Sequence, residues 1–355
     1  MKAITMRYLS LIAILVFSLS RFVQAQDTVC PNTPALDLAV GDVVVVNDGE
    51  AQNVRQQATT DATKLAVVPP GEYLTVWGGP SCADGYRWWQ VEYDRQVGWT
   101  AEGTTDGGQY WLSKIETQIL EKGNVLFEVS RQLASEITYV DEQSSGGDGF
   151  DVPPNRKFSL EGYPLASEWG AYAWYWLGID PKGGVMVAPR TETIDSWLGL
   201  GNLGVELNDN QPEVGLAKYV APQGRYDDPH MAYLHLKNGM AQRSLLYQDP
   251  TGFSPDNYQP IQPRLIYYVS GLTADGQHYI RALFPIEVQV DLPPFPEIPH
   301  FSMEDDQRVF TEYAIAVNKT FDQLPPTAFT PRLALLDAMM RSIEVIGEIE
   351  LEAVR

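Results

Sequence analysis

Residues 30–116 break into short β-type runs at 42–47, 53–56, 73–77, 87–93 and 96–100, each closed by turn residues, and this segmentation restricts the fold more than any other feature. Strands so brief suit a small barrel. The pair Gly78-Gly79 supplies the backbone freedom a tight barrel needs, and Pro69-Pro70 keeps the chain extended before a turn. Val54, Val76, Trp89, Val91 and Trp99 alternate as inward-facing side chains do.

The stretches Asn53-Val54-Arg55, Val67-Val68-Pro69-Pro70-Gly71-Glu72, Val76-Trp77-Gly78-Gly79-Pro80, Trp88-Trp89-Gln90-Val91 and Val97-Gly98-Trp99-Thr100-Ala101-Glu102-Gly103 together resemble a bacterial SH3 (SH3b) domain, over residues 28–116. The resemblance implies an SH3-like barrel of five to seven strands. It also implies a non-enzymatic partner of cell-envelope peptide, glycan or protein. Tyr86, Trp88 and Tyr93 are the candidate ligand-binding residues, placed to line a shallow peptide-type groove. Trp88 and Trp89 must face opposite sides of one strand; alternation with Val91 sets Trp89 inward and leaves Trp88 freer, as a binding ring or a structural surface ring.

Residues 1–25 read as a signal peptide: Lys2 and Arg7 precede an apolar run, and Val23-Gln24-Ala25 forms a small-residue cleavage site. The run is interrupted by Arg21, short of the ~20 apolar residues of a membrane span. The mature chain is therefore expected to be secreted or extracytoplasmic, without a stable membrane span. In that compartment the two cysteines, Cys30 and Cys82, favour a disulfide over two buried thiols. Formal charge is -21, and loss of Lys2, Arg7 and Arg21 with the leader makes it -24. Such a field repels phosphate backbones, so no nucleic-acid partner is expected.

Residues 117–157 read as a short helix or extended connector ending in the linker-like Gln143-Ser144-Ser145-Gly146-Gly147-Asp148-Gly149. Residues 158–355 then read as an α+β domain, an antiparallel sheet followed by helices at 303–323 and 330–347. For the second helix Thr330 offers an N-cap, and Pro331 fits the first helical position. Hairpin turns stand at Lys237-Asn238-Gly239 and Thr273-Ala274-Asp275-Gly276. The element order is similar to a PsbP-like α/β/α sandwich. Phe158-Ser159-Leu160-Glu161-Gly162-Tyr163-Pro164-Leu165, Gly271-Leu272-Thr273-Ala274-Asp275-Gly276 and Ala334-Leu335-Leu336-Asp337-Ala338 are also similar to a module, of no assigned activity, that follows SH3b domains in exported bacterial proteins.

Motifs for chemistry are sparse. Both cysteines lie in or beside the barrel, so no papain-type thiol and histidine pair is expected, and no catalytic residue, metal or cofactor is assigned. His230 and His235, five apart, face opposite sides of a strand and make a poor zinc pair, while His278 and His300 lie farther along. Asp141, Glu142, Asp148 and Asp151 flank the glycine-rich loop as a calcium set or, more simply, a solvated linker. The aromatic run from Trp169 to Trp176 suits sugar stacking or plain packing. The alternatives to a binding protein are an envelope hydrolase with a carboxylate site beyond the connector and a structural partner of a surface complex.

Overall fold

Four consecutive valines, branched at Cβ and stiff in χ1, favour extended chain and form β1 (Val43–Val46). The computed structural model describes residues 30, 36–49, 51–143, 154–165, 183–191, 230–248, 264–288, 290, 291, 293, 303–349 and 351. The first domain continues with β2 (Gln52–Arg55), β3 (Lys64–Val68), β4 (Tyr73–Ala83), β5 (Tyr86–Tyr93), β6 (Gln96–Ala101) and β7 (Leu112–Lys114). They form one seven-stranded antiparallel sheet in the order β3-β2-β6-β5-β4-β1-β7. Irregular pairing of β4 with β5 around Gly78 bends the long strand, as bulges do.

Val44, Val46, Val54, Val68, Leu74, Val76, Trp89, Val91 and Leu112 fill the interior. Gly98 lets β6 pass under β2, since a Cβ there would lie 2.6 Å from Val54 Cγ1 and 2.7 Å from the Arg55 carbonyl. Trp99, expected in this core, is instead half-buried. It stands in register with Arg55 and Gln90, whose side chains share the outer face.

Cys30 and Cys82 form the disulfide, with Cα atoms 5.4 Å apart. Buried Glu102 secures the same entry segment: it accepts from Leu36 N at 2.7 Å through Oε1 and from Trp89 Nε1 at 2.7 Å through Oε2. The bridge spans a sequence separation of 52, and the chain-entropy model caps its worth at roughly 4 kcal/mol. A Cys30→Ser, Cys82→Ser variant is expected to lose about 2–4 kcal/mol in denaturant unfolding under oxidising conditions. Unchanged stability would contradict that role for the bridge.

The expected connector is corrected by the structure. β8 (Thr117–Lys122), β9 (Val125–Ser130) and β10 (Glu136–Glu142) are strands of the second domain. β8 and β9 pair as a hairpin, and β10 pairs along its whole length with β11 (Asn155–Glu161). Their physical reason is plain: Val125, Phe127 and Val129 alternate on one face and are buried among Phe158, Leu336 and Ile343. The main sheet adds β12 (Gly184–Pro189), β13 (Ala232–Leu236), β14 (Gly239–Gln248), β15 (Arg264–Thr273) and β16 (His278–Val288), in the order β10-β11-β12-β16-β15-β14-β13. Both anticipated hairpins are present, joining β13 to β14 and β15 to β16.

Helix α1 (Met303–Asp322) matches its expected span. After the short strand β17 (Phe329–Thr330), which pairs β16, helix α2 is limited to Leu333–Arg341. Its N-cap is Arg332, without a side-chain cap bond, not Thr330. Ile343 and Val345 continue the apolar pattern in extended chain, because Glu344 and Val345 form β18, paired with Leu126 and Val125 of β9. The structure thus shows a seven-stranded barrel and a second region of antiparallel sheets with two helices. Among the described residues no helix is long and apolar enough to cross a membrane.

The two regions are joined by paired charges. Arg332 Nη2 lies 3.1 Å from Glu72 Oε1, Arg341 Nη2 3.4 Å from Glu92 Oε2, and Arg95 Nη1 3.1 Å from Asp322 Oδ1. Tyr73 OH donates to Gln132 Oε1 at 2.6 Å, and Val43 and Ile115 of the barrel side enter the second core. Burial raises the Glu72 carboxyl pKa, against the lowering pull of Arg332.

His230 sits beside this junction. Its backbone N–H donates to Asp322 Oδ1 at 3.1 Å, and its Nε2 lies 2.7 Å from the Phe321 carbonyl, an acceptor only, so Nε2 carries a proton. Burial, then the Arg243 charge, lowers its pKa below 6.5, with Arg95 adding to the fall and the Phe321 carbonyl and Asp322 opposing it. A depressed histidine is fully stabilising above its unfolded value and loses that contribution as pH falls through the folded one. Stability is therefore expected to decline from about pH 6.5 downward, and His230→Gln to flatten the upper part of that decline in a pH series of melts. An unchanged slope in the variant would remove His230 from the account.

Candidate functional site: an aromatic groove on the barrel

The outer face of β2, β6 and β5 carries the candidate site. Arg55 of β2 stands in register with Trp99 of β6, and Ala101 of β6 with Trp88 of β5, so Asn53, Ala101 and Trp88 fall on one row of that face. Alanine is small, and the row is therefore low at its centre. Tyr86, two residues before Trp88 on β5, shares the face and meets the Trp88 ring edge-on at 6.0 Å. Trp111 leans over Tyr86 at 5.9 Å from the chain preceding β7. Between these rings and the polar side of β2 lies a cavity of about 140 Å³, which Gln52, Arg55 and Thr60 complete.

The far rim is held rigid by the turn between β4 and β5. Asp84 Oδ2 accepts from Thr59 Oγ1 at 2.7 Å, Thr60 N at 2.7 Å and Thr60 Oγ1 at 3.0 Å. Those bonds lower the Asp84 pKa and tie the loop after β2 to that turn. The polar wall is open by contrast. The Asn53 side-chain amide makes no hydrogen bond among the described residues.

The three residues picked from the sequence are not brought together. Tyr86 and Trp88 line the groove, but Trp88 is not the freer ring expected. It is 2% exposed, as buried as Trp89 at 3%, and its Nε1 donates to the Ala83 carbonyl at 3.0 Å. Alternation places the two indoles on opposite faces correctly; it cannot show that Tyr86 and Trp111 close over the outer one. Tyr93 has the parity of Trp89 and Val91, packs against the barrel core, and lies near Glu72 and Arg332. Its hydroxyl pKa is raised by burial first, then by the Glu72 charge. Trp111 and Asn53 were missed. Trp111 belongs to no strand pattern, and only the register of β2 on β6 brings the Asn53 amide to the aromatic side.

A larger cleft of about 660 Å³ lies where the two regions meet, floored by Val288, Phe329, Pro331 and Leu335 and edged by Tyr73 and Arg332. Arg332 is already engaged there, by Glu72 and by the Thr327 carbonyl. Deeper in the second domain, Tyr267 OH donates to Asp337 Oδ1 at 2.8 Å, and Arg243 Nη1 lies 3.8 Å from Asp337 Oδ2. Burial and the Asp337 charge push the Tyr267 hydroxyl pKa well up, so the group stays a neutral donor. Asp141 is bound to Arg156, and Asp148 and Asp151 lie outside the described residues. His235 is exposed on β13, His278 is buried on β16, and His300 and the aromatic run at 169–176 lie outside the described residues, as does the leader at 1–25. No group of three or more His, Cys, Asp or Glu side chains placed to hold a metal ion occurs among the described residues.

Residues 49–106 match the bacterial SH3 domain family model. The matched span contains Asn53, Arg55, Tyr86, Trp88 and Ala101. No curated protein and no solved structure matches the chain.

Proposed function

We propose that this protein, which contains a bacterial SH3 domain, is a non-enzymatic exported binder of a cell-envelope polymer, held in the groove of Tyr86, Trp88 and Trp111. A bacterial SH3 domain suggests a cell-wall binding role in general, and such a domain with a disulfide is consistent with an extracytoplasmic protein. The observation that carries the finer reading is the juxtaposition of a fixed aromatic wall with the unbonded Asn53 amide across the Ala101 depression. Aromatic faces stack on sugar rings or peptide planes, and a free amide exchanges hydrogen bonds with hydroxyls or amides of the same ligand. The wall is preorganised, so little ordering cost falls on association. The PsbP-type sandwich is proposed for the second domain on element order alone; that domain adds a second surface.

Co-sedimentation of the mature protein with purified sacculi tests the reading. Binding without release of soluble fragments is expected, and Tyr86→Ala should weaken it at least tenfold while melting within a few degrees of the wild type. Fragment release would favour the hydrolase alternative; absence of any binding would favour the assembly role.

A further inference from the structure

The cation at one end of this groove points to the ligand's charge. Arg55 and Lys64 are directly opposite each other on β2 and β3. Like charges in that position repel, and a carboxylate between or beside them is the ordinary remedy. Neither has one within salt-bridge distance among the described residues. The omission stands out in a chain with 46 acidic against 25 basic residues. Arg87, Arg95, Arg156, Arg243, Arg332 and Arg341 each face a carboxylate. Arg55 makes one described hydrogen bond, from Nη1 to the Ala62 carbonyl at 2.8 Å, which steadies the guanidinium and leaves other N–H donors for the groove it lines.

We infer that the groove takes a carboxylate-bearing segment of the polymer, with the carboxylate on Arg55, Lys64 adding its field, and the neutral part of the segment against Tyr86 and Trp111. This rests on the binding role proposed above and specifies its ligand. A planar two-oxygen group fits the guanidinium fork, and the flanking Asn53 amide suits a neighbouring neutral amide. The strongly negative molecule repels a chain of closely spaced phosphates, so isolated carboxylates are the anions it admits.

The test uses the full mature chain on three preparations of sacculi: untreated, stripped of phosphate polymers by cold hydrofluoric acid, and stripped with their carboxyl groups then converted to amides. The wild type should bind the first two alike and the third about tenfold more weakly. Arg55→Gln should bind untreated sacculi about tenfold more weakly than wild type and lose nothing further on amidation. Lys64→Gln, exposed and safe for folding, should show a smaller loss that fades in high salt. Undiminished binding by Arg55→Gln, or equal capture of amidated sacculi by the wild type, overturns the carboxylate assignment. Loss on phosphate stripping overturns it in favour of a phosphate ligand. Failure of the wild type to sediment, or full binding by Tyr86→Ala, instead removes the groove as the binding site altogether.

Discussion

Asp141→Ala is expected to destabilise the second domain by about 3–5 kcal/mol, among the largest effects of any single substitution in the chain. Arg156 Nε donates to Asp141 Oδ1 at 2.7 Å and its Nη2 to Oδ2 at 2.8 Å, across the β10 and β11 pair, with the Arg156 side chain 2% exposed. Arg156 Nη1 also reaches the Lys122 carbonyl at 3.3 Å, so the fork joins the hairpin of β8 and β9 to the main sheet. Gly123 leaves room for that approach, since a Cβ there would collide with Arg156 Nη1. Removing the carboxylate strands a buried guanidinium; removing both charges does not. The double variant Asp141→Leu, Arg156→Met is therefore expected to recover most of the loss in denaturant titrations, and a single variant within about 1 kcal/mol of wild type would contradict the pairing.

Phe127→Ala should cost about 3–5 kcal/mol by cavity formation. The ring is fully buried in the core under α2 and meets Phe158 edge-on at 5.2 Å. The prediction separates two views of residues 117–142. A connector would tolerate the change; strands of the second domain cannot. Equal melting temperatures for Phe127→Ala and wild type would restore the connector.

The barrel was legible because short alternating runs and turn residues leave few other arrangements, and because Val54, Val76, Trp89 and Val91 carry the period of a strand. β3 was not, since Leu65 and Val67 are exposed on an edge and show no inward alternation. The same period was present in Val125, Phe127 and Val129, but the glycine-rich stretch after Gln143 marked a boundary more loudly than the hairpin before it. In α2 the apolar stripe was real, yet it continues into Ile343 and Val345, whose partners are strand residues of β9 that no local pattern reveals. The site was half legible. Parity alone excludes Tyr93 from the face of Tyr86 and Trp88, whereas Trp111, Asn53 and the bare Arg55 and Lys64 pair come together only through register.

The charge clasp between barrel and second domain lies in the same category. Glu92 and Arg341 are far apart in sequence and meet because α2 ends against β4 and β5, where Arg341 also donates to Thr75 Oγ1 at 3.4 Å and its guanidinium lies 5.8 Å from the Trp77 ring centre. These contacts fix how the groove is presented. They leave its aromatic wall untouched.

The most direct measurement follows the indole N–H resonances of the protein, assigned by single tryptophan replacements, while soluble envelope fragments are added. Trp88 and Trp111 should shift in proportion to occupancy, and Trp89, bonded inside the barrel to Glu102, should stay in place. Fragments that bind yet move none of the groove indoles, or that are cleaved during the titration, would contradict a binding protein working through this face.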